Sequence, residues 1–157
     1  MTHHMLDNLE LTSLLSFSYS ASINELHTKL SELGFGDIRP AHGFIFKCIN
    51  PNGATGIELA EHLGITKQAV SKMVDYLEKS GYVMRQPHPT DKRGKIIVLT
   101  ERGQLAIKAK EQIIAEIEKR WTNNIGAERV QLLKEDLKSL IYEINAENVP
   151  SKLRPVW

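Results

Sequence analysis

Cysteine is almost absent from the sequence: Cys48 stands alone among 157 residues. One thiol excludes an internal disulfide framework and a cysteine-rich zinc site, and it suits a reducing compartment. Long hydrophobic runs are missing too. No apolar stretch approaches the roughly 20 residues of a membrane-spanning helix, and Asp7 and Glu10 interrupt the segment from Leu6 to Leu15. The first residues lack the basic-then-apolar order of a secretory leader. A cytoplasmic protein without a membrane anchor is therefore expected. Glycine-rich phosphate loops, nucleophile elbows and zinc-protease motifs are also lacking, so neither a cofactor nor catalysis is expected. Six histidines are present (His3, His4, His27, His42, His62, His88), but none falls in an H-x-x-x-H or H-E-x-x-H arrangement, and no metal site is expected.

A strong net charge is missing as well, but the formal total of +1 hides a distribution. Residues 1–38 carry one Lys or Arg against five acids, residues 39–100 nine against five, and residues 101–157 ten against nine. The middle of the chain is thus basic. Screening limits each exposed charge to about 8–10 Å, so this stretch can attract phosphates although acids elsewhere cancel the sum.

What is present is mostly helical patterning. Tyr19, Ile23, Leu26, Leu30 and Leu33 recur at spacings of four and three, which predicts an amphipathic helix over about 6–33, stopped by Gly34 and Gly36. A second helix is expected from about Pro40 to Ile49, before the turn Asn50-Pro51-Asn52-Gly53. Thr55-Gly56-Ile57-Glu58 has the form of a capping box, so a third helix starts there and ends near Leu63-Gly64. Thr66 then caps a fourth, running to about Ser80. Two short helices joined by a glycine-containing turn are a helix-turn-helix. Its shared inner face is read as Ile57, Ala60, Leu63, Ile65, Val70, Val74 and Leu77, which leaves Lys67, Gln68, Ser71, Lys72 and Asp75 outside. Next come a strand at 82–85, a loop at 86–94 and a β-branched return strand at 95–99, together a two-stranded wing. Thr100 caps another helix, expected to run to Trp121 with Ala106, Ile113, Ile117 and Trp121 as its stripe. After a break near Asn123-Asn124 and Gly126, a last helix spans about 127–145 with Val130, Leu133, Leu137, Leu140 and Ile144 in line. These stripes exceed what one small lobe can cover, so packing across a two-fold axis in a homodimer is expected, against an ordinary intrachain bundle.

This order of elements resembles the MarR family of regulators. The resemblance rests on Leu59-Ala60-Glu61-His62-Leu63-Gly64-Ile65-Thr66 with Gln68-Ala69-Val70-Ser71, on Leu77-Glu78-Lys79-Ser80-Gly81-Tyr82-Val83, on Pro89-Thr90-Asp91-Lys92-Arg93-Gly94-Lys95, and on Val98-Leu99-Thr100-Glu101-Arg102-Gly103. It is strong from about residue 39 to 103 and outside that range rests on helix pattern alone. It implies a mainly α fold with a small β-wing: a winged helix-turn-helix lobe at 39–100 between dimerisation helices at 1–38 and 101–157. The implied function is sequence-specific binding of double-stranded DNA to regulate transcription, repression being the expected sense. The competing reading is a winged-helix protein-interaction module, against which the basic wing argues.

A recognition helix must offer short or flexible hydrogen-bonding side chains near its N-terminus, and Thr66, Lys67, Gln68, Ser71 and Lys72 meet that demand. Gln68 suits adenine; Lys67 and Lys72 suit guanine or phosphate, and the sequence does not choose. The resemblance implies that Arg93 enters the minor groove, that Asp91 holds it, and that Lys92 and Lys95 follow phosphates. It also implies a crevice for a small aromatic or phenolic effector near Arg39 and His42. There a cation and an imidazole suit an anion, although Arg39 paired to an acid and His42 on a helix surface fit the sequence equally. Cys48, on one helix face with Ile45 and Ile49, reads as a small buried residue rather than a redox sensor.

Overall fold

A computed structural model describes residues 6–144; the last residue of the helix expected at 127–145 lies outside the described residues. Within that range the order is α1 (Leu11–Glu32), α2 (His42–Ile49), α3 (Gly56–Leu63), α4 (Lys67–Lys79), β1 (Val83–Pro87), β2 (Lys95–Leu99), α5 (Glu101–Ile125) and α6 (Ala127–Ile144). The first helix starts later than its apolar pattern suggested, with Glu10 in extended geometry as its N-cap.

Three threonines set the helix starts of the lobe. Thr55 accepts from the Glu58 amide at 3.2 Å while the Glu58 carboxylate accepts from the Thr55 amide at 2.7 Å, completing the capping box. Thr66 accepts from the Ala69 amide at 3.1 Å, and Thr100 from the Gly103 amide at 3.1 Å. Between α3 and α4, Gly64 adopts φ 64°, a left-handed conformation that costs glycine little. The turn of the helix-turn-helix is therefore chemically specified.

β1 and β2 pair antiparallel from Val83↔Leu99 to Pro87↔Lys95. The first strand thus takes in Gln86 and Pro87, which the sequence assigned to the loop; a proline is tolerated at a strand end because little of the ladder is lost there. A third segment joins the sheet unannounced by periodicity: Ala54 and Ile97 exchange backbone hydrogen bonds of 3.1 and 2.8 Å. That bridge ties the wing to the residue before the N-cap of α3.

The lobe core gathers Ile45, Ile49, Leu59, Leu63, Val70, Val74, Leu77, Tyr82 and Val83, all fully buried. Ile57, expected inside, is 52% exposed, and Leu59 takes its place at 0%. The helix begins at Gly56, which turns Leu59, Ala60 and Leu63 rather than Ile57 toward the core. A second cluster, Leu26 and Leu30 with Ala109, Ile113 and Ile117, packs α1 on α5. Gly103 makes the junction between lobe and long helix possible, since a Cβ there would lie 2.2 Å from the Tyr82 carbonyl oxygen. The α5 helix passes through Asn123-Asn124 without breaking and ends only at Gly126, φ 93°. Asparagine in a last turn is a weak penalty, whereas a left-handed φ stops the helix.

Candidate nucleic-acid interface

The recognition helix α4 is held from behind. Val70, Val74 and Leu77 fix one side in the lobe core, so the opposite side is presented as a unit: Thr66, Lys67, Gln68, Ser71 and Lys72 are all exposed. The wing emerges next to it. One groove is lined by Lys67, Val70, Ser71 and Val74 of α4, Arg85, His88 and Asp91 of the wing, Lys95 and Ile97 of β2, and Thr55 at the head of α3.

At the wing tip Asp91, Lys92, Arg93 and Lys95 are exposed. The Asp91 carboxylate accepts from the Arg93 backbone amide at 2.9 Å, and the Gly94 amide donates to the Asp91 carbonyl at 3.1 Å. Asp91 therefore positions Arg93 through its main chain, in an Asx turn, and leaves the guanidinium out in solvent. Among the described residues none of the side chains of Lys67, Lys72, Lys92, Arg93 and Lys95 is ion-paired. Five free cations and one free amide thus share this side of the lobe.

Arg85, by contrast, is fully engaged. Its guanidinium donates to Asp75 at 2.6 Å and to Glu78 in a short contact, joining β1 to the outer side of α4. Burial works against its charge, but the two carboxylates outweigh it and hold the group more firmly protonated than usual. The sequence reading passed over this clamp, although acids three apart before Gly81 and a basic residue after it were a usable signal.

A second unforeseen network sits where α1 meets the lobe. Asp37 accepts from the Tyr76 hydroxyl at 2.8 Å through its carbonyl and from the Tyr82 hydroxyl, in a short contact, through its carboxylate. Arg102 donates to the Tyr82 oxygen at 2.9 Å and to the Gly34 carbonyl at 3.0 Å, with its guanidinium 4.6 Å from the Tyr82 ring centroid. Burial and the Asp37 bond push the Tyr82 phenol up to about 12, so it remains a donor. Through Tyr76 the linker between α1 and α2 thus touches the recognition helix itself.

Arg39 and His42 part company. Arg39 lines a crevice of about 500 Å³ between α1, α2 and α5, whose walls include Ile23, Leu26, Phe44 and Ile107 and whose polar groups include His27, Lys47, Lys110 and Glu111. His42 lies outside that lining, 5% exposed. Its Nδ1 accepts from the Arg39 amide at 3.1 Å and its ring stacks on Tyr76, centroids 5.1 Å apart. Burial, and then the Arg39 charge, lower its pKa to about 4, so it is neutral. The surface position considered for His42 is therefore corrected to an interior one, because a neutral imidazole satisfies the amide at the start of α2. Cys48 is half-buried against the core, and burial pushes its thiol up. Among the described residues no cluster of His, Cys, Asp and Glu is fit to hold a metal.

A helix-turn-helix with a basic hairpin, flanked by long helices, defines the winged-helix class, and comparison with known proteins narrows it. A sequence profile of the MarR family matches residues 48–94. The multiple antibiotic resistance protein MarR of Escherichia coli is 32% identical over 95 residues, 60% of this chain and 62% of that protein. The aligned sequence thus spans less than two thirds of that relative. Crystal structures extend the likeness: apo MarR from E. coli gives a TM-score of 0.64 at 28% identity, covering 85% of this chain and 98% of that one. A cysteine-to-serine mutant of the same protein, complexed with operator DNA, gives 0.64 at 29% identity, covering 83% and 92%. The chain is thus similar to MarR-family regulators, in sequence over residues 48–94 and in fold over most of its length.

Proposed function

We propose that the chain is a transcription regulator that binds a specific double-stranded DNA site as a homodimer, in the cytoplasm, as a repressor and without catalytic activity. The observation that carries the reading is the single side of the lobe on which an exposed polar helix face and a tip with unpaired cations stand together. Thr66, Lys67, Gln68, Ser71 and Lys72 read the major groove; a glutamine there can pair bidentately with adenine. Arg93 enters the minor groove, where a narrow A·T tract concentrates negative potential, while Asp91 fixes its main chain and Lys92 and Lys95 follow phosphates.

Two copies set the recognition helices about one DNA turn apart, so each reads half of an imperfect palindrome. Residues 1–38 and 101–157 supply the dimer contacts and residues 39–100 read DNA. The support is the exposed apolar surface of the long helices, including Leu11, Phe17, Leu132 and Leu133. An anionic aromatic or phenolic effector in the crevice beside Arg39 shifts the spacing of the helices by its differential affinity for the two shapes.

The experiment is selection of bound duplexes from a random pool by the purified protein, followed by affinity against salt. An enriched palindrome with half-sites about one turn apart and a steep salt slope is the expected result. No enrichment and no salt-dependent binding would replace this reading with that of a protein-interaction module.

A further inference from the structure

The wing tip has a latch that neither the basic residues nor Asp91 supplies. His88, at the foot of the loop, turns its imidazole back over the following residues. Its Nδ1 accepts from the Thr90 amide at 3.2 Å and the Asp91 amide at 3.0 Å, with the Thr90 hydroxyl at 3.3 Å. Its own amide donates to the Gly94 carbonyl at 3.0 Å, which closes the loop. Backbone amides can only donate, so the ring nitrogen they meet carries no proton. Asp91, whose amide is held in this way, in turn holds the amide of Arg93. The chain of contacts therefore runs from the His88 lone pair to the residue proposed for the minor groove.

We infer that His88 is a positioning residue for DNA binding: its unprotonated Nδ1 fixes the loop that presents Arg93, and protonation releases that loop and weakens binding. Histidine is the side chain that changes charge between about pH 5 and 8, so it makes this latch titratable where an Asn or Asp acceptor would not be. The charged groups around it come from several elements. Glu58 of α3 and Asp91 of the loop bring carboxylates near it. Lys67 of α4, Arg85 of β1 and Lys95 of β2 line the same groove, Arg85 paired to its own acids. On protonation the ring turns from acceptor to donor at Nδ1, loses the two amides, and is drawn toward the carboxylates instead.

The inference rests on the DNA-reading proposal, and its test separates the two. Affinity of the full chain for a duplex enriched from the random pool is measured at about pH 8 and about pH 5.5 for wild type, His88→Asn and His88→Ala. An asparagine carbonyl accepts from the same amides at either pH. Wild type is expected to lose about fivefold on acidification beyond any loss by His88→Asn, and His88→Ala to be about fivefold weaker than His88→Asn at both pH values, as for a lost cap. Parallel profiles for wild type and His88→Asn, or wild-type binding that tightens in acid through attraction of a charged imidazole to phosphate, would overturn it. In the free protein, nitrogen NMR should find His88 as the Nε2–H tautomer, with the Thr90 and Asp91 amides shifting along its titration. Amides indifferent to the ring would sink the latch even if DNA binds. Amides that follow the ring in a protein that binds no duplex would keep the latch and discard the DNA reading.

Discussion

The lobe and the long helices use similar apolar residues and end in opposite states. In the lobe, Leu59, Leu63, Val70, Val74 and Leu77 are at most 1% exposed, and the core closes on itself. On the long helices, among the described residues, Leu26, Leu30, Ala106, Ala109, Ile113, Ile117 and Val130 are covered, while Leu132, Leu133, Leu140, Ile141 and Ile144 of α6 remain between 40 and 77% exposed. Contiguous apolar surface of that kind marks an interaction face, as isolated exposed residues do not. Within one chain the core of the lobe is closed, and the long helices keep much of their apolar surface exposed.

The largest expected effect tests the first half of that comparison. Leu77→Ala removes a side chain with no exposure from the lobe core and should destabilise it by about 2–5 kcal/mol, read by urea unfolding. A loss under about 0.5 kcal/mol would mean that the lobe is not close-packed. For the other half, Leu133→Glu with Leu140→Glu should leave lobe folding near wild type and weaken dimerisation by about a hundredfold, since a charge in an apolar contact loses its hydration. Sedimentation at falling concentration reads this, and an unchanged dimer would show that a different face associates.

Arg93→Ala comes next: affinity for the selected duplex should fall about ten- to hundredfold while the protein stays a folded dimer. Equal binding in a titration would remove Arg93 from the interface. The smallest effect is on pH. The pKa of His42 is lowered from 6.5 to about 4 in the folded chain, so the unfolded chain binds the proton first on acidification. Its contribution is complete above about pH 6.5 and is lost as the pH falls toward 4. His42→Gln should flatten that slope in thermal melts; an identical slope would move the acid sensitivity elsewhere.

Local chemistry made much of the lobe legible. The capping box at Thr55, the cap at Thr66 and the glycine at 64 are written in three or four adjacent residues, and the β-branched run 95–99 announces the return strand. The site's exposed residues followed, because the apolar spacing of Val70, Val74 and Leu77 leaves Lys67, Gln68, Ser71 and Lys72 outside. The Asp37 network and the burial of His42 were not legible, and the Arg85 clamp left a charge pattern without its pairing. Each depends on partners 7 to 45 positions apart, or on a ring packed against a tyrosine from another helix.

The sequence by itself determined where helices start and stop and which residues carry the charges of the wing, since caps, turns and periodicity act over less than two helical turns. Only the tertiary structure decided that Arg85 pairs with Asp75 and Glu78, that Asp37 meets Tyr76 and Tyr82, and that Ala54 joins the sheet through Ile97. A donor finds its acceptor only when the backbone brings both to within about 3 Å, and that distance is set by the packing of the whole lobe.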